Sequence, residues 1–428
     1  MRRNAHFRPG REPLHDHPGL TLRRSHVSGP LSFLNPTWAR YAPAAAPGQA
    51  EAGTLGQERG AAPVVATEPG YVEHLWRSRD NRKGRHALQV DYLVAARETG
   101  FAAPPPTATW KAVARGIPRM ATCAPYWDVS WLVAVTFTLG SVIWILNAFF
   151  VWLPLEDPAT SFGGESLMGG GISGFIGATV FEFGSVLLLL EAVNANQTAC
   201  FGWALETELT KAESHASQAV PVPVTKLKPS TDDCSHHHAN RRNLVGLGRH
   251  ISRRISHDVA AGYSTSSPDG RSFRWLPPWT ELRTHYMHEL GFLASLIQFF
   301  AATIFWIAGF TGLPGIIDHM SQRVTNGVYW VPQIVGGTGF IISGLLFTLE
   351  TQEKWYRPAF NVLGWHIGVW NFIGGIGFTL CGALGPAINA SGVEYQATLA
   401  TFWGSWAFMI GSTIQWYESL QKYPVEKE

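Results

Sequence analysis

Six apolar stretches, each about 20 residues long, constrain this 428-residue chain more than any other feature. A helix rising about 1.5 Å per residue needs about 20 apolar residues to cross the roughly 30 Å hydrocarbon layer of a bilayer. The stretches fall at about 131–153, 170–190, 290–312, 328–349, 363–384 and 397–417. A mean hydropathy of +0.02 conceals them, because residues 1–127 and 192–286 are polar, basic and rich in Pro and Gly. Aromatic residues mark the borders: Trp127, Trp131 and Trp152 around the first stretch, Tyr329 and Trp330 ahead of the fourth, Trp416 and Tyr417 closing the sixth. That placement matches the aromatic belts of membrane–water interfaces.

Charge sets the orientation. Of the 33 Lys and Arg, 17 precede the first stretch and 11 lie in 192–286, whereas the loops 154–169, 313–327 and 385–396 hold only Arg323. Basic residues stay on the cytoplasmic side, so both termini are expected there. The expected fold is an all-α membrane protein of six transmembrane helices arranged as three helical hairpins. Along the chain this divides into a disordered tail (1–70), an amphipathic juxtamembrane region (71–127), hairpins at 128–191, 287–349 and 350–418, a basic loop at 192–286 and a tail at 419–428. Segments such as 87–96 read as short helices. The Arg-rich segment 241–256 has Leu244, Leu247, Ile251 and Ile255 at helical spacing, which suits an anionic lipid surface as well as a solvated basic run. Ser252 and Ser256, each three residues after an arginine, are candidate phosphosites whose added charge would weaken lipid attraction.

The even-numbered stretches end alike. Gly184-Ser185 precedes Glu191, Ser343-Gly344 precedes Glu350, and Gly411-Ser412 precedes Glu418, each glutamate seven residues after the first small residue. Residues so spaced share a helix face. The segment Trp403-Gly-Ser-Trp-Ala-Phe-Met-Ile-Gly-Ser-Thr-Ile-Gln-Trp-Tyr-Glu418, with the Phe-Gly-Ser and Ser-Gly-Leu-Leu-Phe runs of the earlier stretches, resembles YrhK-like membrane hairpins. In layout, 70–425 is similar to uncharacterised fungal integral membrane proteins. The resemblance implies membrane hairpins and brings no activity or site residue with it.

Polar residues inside the stretches are the candidate site. Glu182 is the only acidic one, and a mid-bilayer carboxyl costs roughly 2.5–3.5 kcal/mol. Glu182, Gln298, Gln333 and Asn371 each fall on the small-residue side of their helix, with Asn147 as a fifth member, so they are expected to converge inside the bundle. Glu191, Glu350 and Glu418 form a cytoplasmic trio at helix C-termini. The helix dipole disfavours negative charge there, so a neighbouring base such as Lys354 or Lys422 is expected to offset it.

Two functions stay open: a transporter- or channel-like protein moving protons, cations or a small polar solute past Glu182, and a non-transporting scaffold recruiting lipids or partners through basic cytoplasmic segments. No nucleophile–base pair, phosphate loop or dinucleotide fingerprint is present, so an enzyme is not expected. Cys234 with His236-His-His238 has no second ligand pair, so neither metal nor cofactor is expected. The partner is the lipid bilayer rather than nucleic acid. The start of the chain lacks the apolar core of a secretory signal. The secretory pathway or plasma membrane is favoured, with the mitochondrial inner membrane left open.

Overall fold

The computed structural model describes residues 6–7, 12–13, 20–43, 72–97, 103–202, 204–205 and 273–428. Six long helices dominate: α3 (Val129–Glu156), α4 (Gly171–Val193), α5 (Leu290–Thr311), α6 (Val331–Glu350), α7 (Leu363–Leu384) and α8 (Val393–Ser419). Each packs against the next in the chain, and α8 packs back on α3, so the six close into a ring. Among the described residues, five helices are long and apolar enough to cross a membrane: 129–156, 165–193, 290–311, 322–350 and 363–387. The sixth, α8, is as long but less apolar, carrying Gln396, Thr398, Thr401, Ser405, Ser412 and Gln415.

Many hydroxyl side chains in these helices bond their own helix backbone. Ser141 Oγ donates to Phe137 O at 2.7 Å, Ser185 Oγ to Phe181 O at 2.9 Å, and Thr348 Oγ1 to Gly344 O at 2.8 Å. These three therefore sit in an apolar bundle without an orphaned donor. At the centre, Trp144, Phe305 and Phe378 meet Phe181, Phe340 and Phe408 in one aromatic cluster. Ring centroids lie 4.9 Å apart for Trp144–Phe378, 5.6 Å for Phe305–Phe340 and 5.5 Å for Phe181–Phe408.

Sequence spacing explains why the cluster forms. Phe181, Phe340 and Phe408 each stand ten residues ahead of a terminal glutamate, and Gly177, Gly336 and Gly404 fourteen ahead. Both α4 and α6 are also entered through a π-helical turn, at Glu165–Gly170 and Asn326–Trp330. The repeat read at the helix ends therefore extends through most of each even-numbered helix.

The all-α expectation needs correction. A five-stranded sheet, ordered β1 (Leu20–Leu22), β2 (Trp38–Pro43), β3 (Val72–Arg77), β4 (Ala87–Val90), β5 (Val425–Lys427), lies at one end of the ring. The first three pairings are antiparallel and the last is parallel, with Val72 opposite Val90 and Leu88 opposite Val425. Two strands thus arise from the segment expected to be disordered, one from the expected helix at 87–96, and one from the C-terminal tail. The physical reason is burial: Val72, Leu88, Val90 and Val425 form their own apolar core. Strands this short, four to six residues long or less, show almost no periodicity in sequence. Ser252, Ser256, the 241–256 segment and the Cys234–His238 tract lie outside the described residues.

Arg77 of β3 clamps β5 through Glu426, Nη1 to Oε1 at 2.6 Å and Nη2 to Oε2 at 2.7 Å. Burial alone would raise the Glu426 carboxyl, but the guanidinium outweighs it and holds the group below its ordinary value of 4.5. A depressed carboxylate contributes stability above the ordinary value and loses it as pH falls through the folded one. Amides of β5 should therefore lose protection from deuterium exchange, after correction for intrinsic rates, on acidification below the ordinary carboxyl value of 4.5. Glu426→Gln should show the same loss already at neutral pH.

Candidate functional site

The segment Ser78-Arg-Asp-Asn-Arg-Lys-Gly-Arg85 turns from β3 to β4 through one short helix, α1 (Ser78–Arg82). Gly84, at φ 61°, adopts the left-handed conformation that returns the chain to β4. Because α1 is so short, Arg79 and Arg82 within it and Lys83 and Arg85 just beyond it all reach the mouth of the ring. Each of the three terminal glutamates is met there. Arg79 grips Glu418 with two bonds, Nη2 to Oε2 at 2.8 Å and Nε to Oε1 at 3.2 Å. Arg85 Nη1 reaches Glu418 Oε1 at 3.0 Å and also bonds Asp80.

Arg82 bridges two helices, with Nη1 2.6 Å from Glu191 Oε1 and Nη2 2.8 Å from Glu350 Oε2. Lys83 Nζ lies 3.3 Å from Glu191 Oε2, and Ser78 Oγ donates to Glu350 Oε1 at 3.0 Å. Glu191, Glu350 and Glu418 are 0%, 1% and 0% exposed. Four cations face four carboxylates, Asp80 being the fourth, and Arg77, which also reaches Asp80 at 3.5 Å, is offset by Glu426.

Such a cluster costs several kcal/mol of desolvation per ion and persists only with good geometry and full hydrogen bonding. The geometry is built by small residues at the starts of the odd-numbered helices. A Cβ on Gly291 would collide with Glu350 Oε1 and lie 2.9 Å from Arg82 Nε, and one on Gly364 would collide with Arg79. Ser130, fully buried, holds the corresponding place on α3.

Burial would lower the Arg82 pKa, but Glu350 and Glu191 outweigh it and hold the guanidinium charged. For Lys83 burial wins over the attraction of Glu191, and the ammonium is pushed down to about 8. The bases expected to offset the glutamates are engaged elsewhere. Lys422 Nζ lies 2.5 Å from Asp128 and donates to Lys83 O at 2.8 Å, and Lys354 sits over the Tyr356 ring.

Beneath the ionic cluster is a cavity of about 30 Å³, room for about two water molecules. Phe137, Gln298 and Asn371 line it, each seven residues ahead of an aromatic-cluster residue on its own helix. Leu188, Phe347 and Gln415 line it too, each three residues ahead of a terminal glutamate. At least one residue from every helix of the ring therefore faces this space, with Arg79 and Arg82 at one end and Phe181 and Phe408 at the other.

The five polar residues expected to converge do not form one cluster. Gln298 and Asn371 share the cavity. Glu182 is half-buried at the seam between α4 and α5, its Oε1 accepting from Thr303 Oγ1 at 2.9 Å. Gln333 Nε2 lies 3.3 Å from Cys381 Sγ, and Asn147 Nδ2 donates to Gly170 O at 2.6 Å. The reason is the closed ring. A small-residue face packs on the adjacent helix, as Ala178 does beside Gly309 of α5, and such a seam is not the axis.

Sequence reasoning missed the basic partners, Arg79, Arg82, Lys83 and Arg85. Their signal was a run of five bases within 77–85, read only as a count for orientation. No family model, no curated protein and no solved structure matches this chain.

Removing one member of a buried pair strands its partner, at about 3–5 kcal/mol. Arg82→Met should lower stability in detergent by that amount, while Arg82→Met with Glu350→Met should recover part of it, measured by thermal unfolding. Lys83 gives a pH test. Between about 8 and 10.5 the unfolded chain holds a proton that the folded Lys83 has shed, so stability rises with pH across that window. The difference between the wild type and Lys83→Met should show this rise.

Proposed function

We propose that this chain is a multi-pass integral membrane protein whose six long helices cross the bilayer as three hairpins, with both chain ends on the cytoplasmic side. In this reading the ring is a transporter- or channel-like conduit for protons or small cations, and α1 holds it closed. One observation carries the reading. Three buried carboxylates, one at the end of each even-numbered helix, surround an axis that continues into a cavity lined by Gln298, Asn371 and Gln415. Ionisable groups gathered inside a membrane bundle mark ion and proton paths, and rings of carboxylates favour cations. The cations that fill this ring belong to the chain's own α1 and the turn that follows it. The path runs along the axis, past Glu191, Glu350 and Glu418 rather than past Glu182.

The sheet supports an even number of crossings. It joins β1 and β2 to β5 in one layer, and a single layer cannot straddle a bilayer. α8 serves as the sixth crossing because the polar side chains past its first two turns face inward: Thr401, Ser405, Ser412, Gln415 and Glu418 are buried by the other helices.

A second reading rests on a different observation. The aromatic cluster fills the axis below the cavity, with Phe378 and Phe340 at 0% and 1% exposure. That packing favours a non-transporting scaffold in which the ionic cluster only docks the sheet onto the ring.

Flux measurements on reconstituted protein separate the two. Arg85→Gln removes the Arg85 bonds to Glu418 and Asp80 and so weakens the closure, and Phe408→Ala opens the plug. Each 1.4 kcal/mol taken from the closed state raises the open population about tenfold. Proton or potassium flux should therefore rise by about that factor over wild type. If both variants fold and neither carries more flux than empty vesicles, the conduit reading fails and the scaffold stands.

A further inference from the structure

The helix α2 (Trp110–Thr122) precedes α3 and makes little use of the ring for burial. Its inner side is narrow. Gly116 rests on Tyr417 of α8, where a Cβ would lie 2.6 Å from the ring. Upstream, Thr107 anchors the segment to the sheet by donating its amide to Val425 O at 3.0 Å, and it accepts the Val425 amide at 2.9 Å.

The outward side is apolar. Trp110, Ala114 and Ile117 recur at helical spacing, and Trp110 and Ile117 are 81% and 53% exposed. Alongside them runs a second stripe, Lys111, Arg115 and Arg119, all exposed and spaced four apart. Among the described residues none of these three bases has a carboxylate partner within ion-pair distance.

An exposed Trp and Ile in water are unfavourable, and three adjacent bases repel one another. A bilayer surface removes both problems. Its acyl boundary accepts the apolar stripe, and basic side chains lying along that boundary extend their heads to the phosphates. The placement fits, because α3, the first membrane-length helix, begins at Val129, a few residues after α2 ends.

We infer that α2 is an interfacial helix that binds anionic phospholipid headgroups of the surrounding membrane through Lys111, Arg115 and Arg119, with Trp110 and Ile117 seated in the acyl boundary. The occupant is a lipid of the same bilayer, chosen by charge complementarity and by continuity of α2 with the membrane-length helices. This rests on the membrane reading and not on transport.

The test uses the full chain in nanodiscs of phosphatidylcholine, with and without phosphatidylserine. Bound phosphatidylserine is counted by native mass spectrometry after release, for the wild type and for Lys111→Gln/Arg115→Gln/Arg119→Gln. At the usual surface strength of one basic residue for one anionic lipid, losing three should weaken phosphatidylserine retention up to roughly a hundredfold. Phosphatidylcholine retention should stay unchanged. Trp110→Ala should instead weaken retention of both lipids alike.

Raising ionic strength should reduce the phosphatidylserine preference of the wild type, and this arm stands even if the triple variant does not fold. Equal retention of the two lipids by the wild type would overturn the proposal. So would a folded triple variant that keeps its phosphatidylserine, or displacement of the lipid by inorganic phosphate at equal concentration. Failure of the chain to enter nanodiscs at all would instead contradict the membrane reading.

Discussion

The buried ionic cluster is the constraint on which the rest of the architecture depends. Carboxylates at helix C-termini face the negative end of the dipole, and three of them around one axis repel each other as well. Without α1 the mouth of the ring would have to open to water or take up protons. Arg79, Arg82, Lys83 and Arg85 remove that requirement, and in doing so they fix the position of the sheet, because α1 is the turn between β3 and β4. The same contacts order the helix starts, since Gly291 and Gly364 leave room for guanidiniums where any larger residue would not. Sheet, ring and cavity are thus parts of one electrostatic arrangement.

Three equivalent helix pairs make such an arrangement economical. Each contributes a small residue at its entry, an aromatic residue at mid-height and a glutamate at its exit. The pairs are not identical where the cavity is lined: Phe137, Gln298 and Asn371 occupy matching positions, as do Leu188, Phe347 and Gln415. The pair contributed by α3 and α4 is therefore apolar at both places, while the other two carry the amides. Polar capacity is gathered on one side of the axis, next to Arg79 and Arg82. Aromatic packing beneath gives the cavity a dry floor.

Much of the ring was legible in the sequence, because apolar length and helical spacing are strong signals over 20 residues. The trio Glu191, Glu350 and Glu418 was legible for the same reason: it closes a repeat. Glu182 shows where helical spacing misleads. Its small-residue face does pack on another helix, but spacing on one helix cannot distinguish a seam between neighbours from the axis of a ring. The sheet was hidden for another reason. β1 and β5 are three residues each, and strands that short depend on partners far away in the chain. The bases of α1 were visible yet silent, since a local run of arginines says nothing about which distant carboxylates will close over it.

α1 and the helix ends are energetically coupled through buried ion pairs, and the Arg79–Glu418 pair isolates that coupling best, being doubly bonded and almost free of solvent. A double-mutant cycle with Arg79→Met and Glu418→Gln, read by unfolding of the detergent-solubilised protein, measures that coupling directly. The expected interaction energy is about 1.5–3 kcal/mol, as contacting partners in one ionic network give. Effects that add to within about 0.5 kcal/mol would mean the two side chains do not meet, and the architecture argued from them would be wrong.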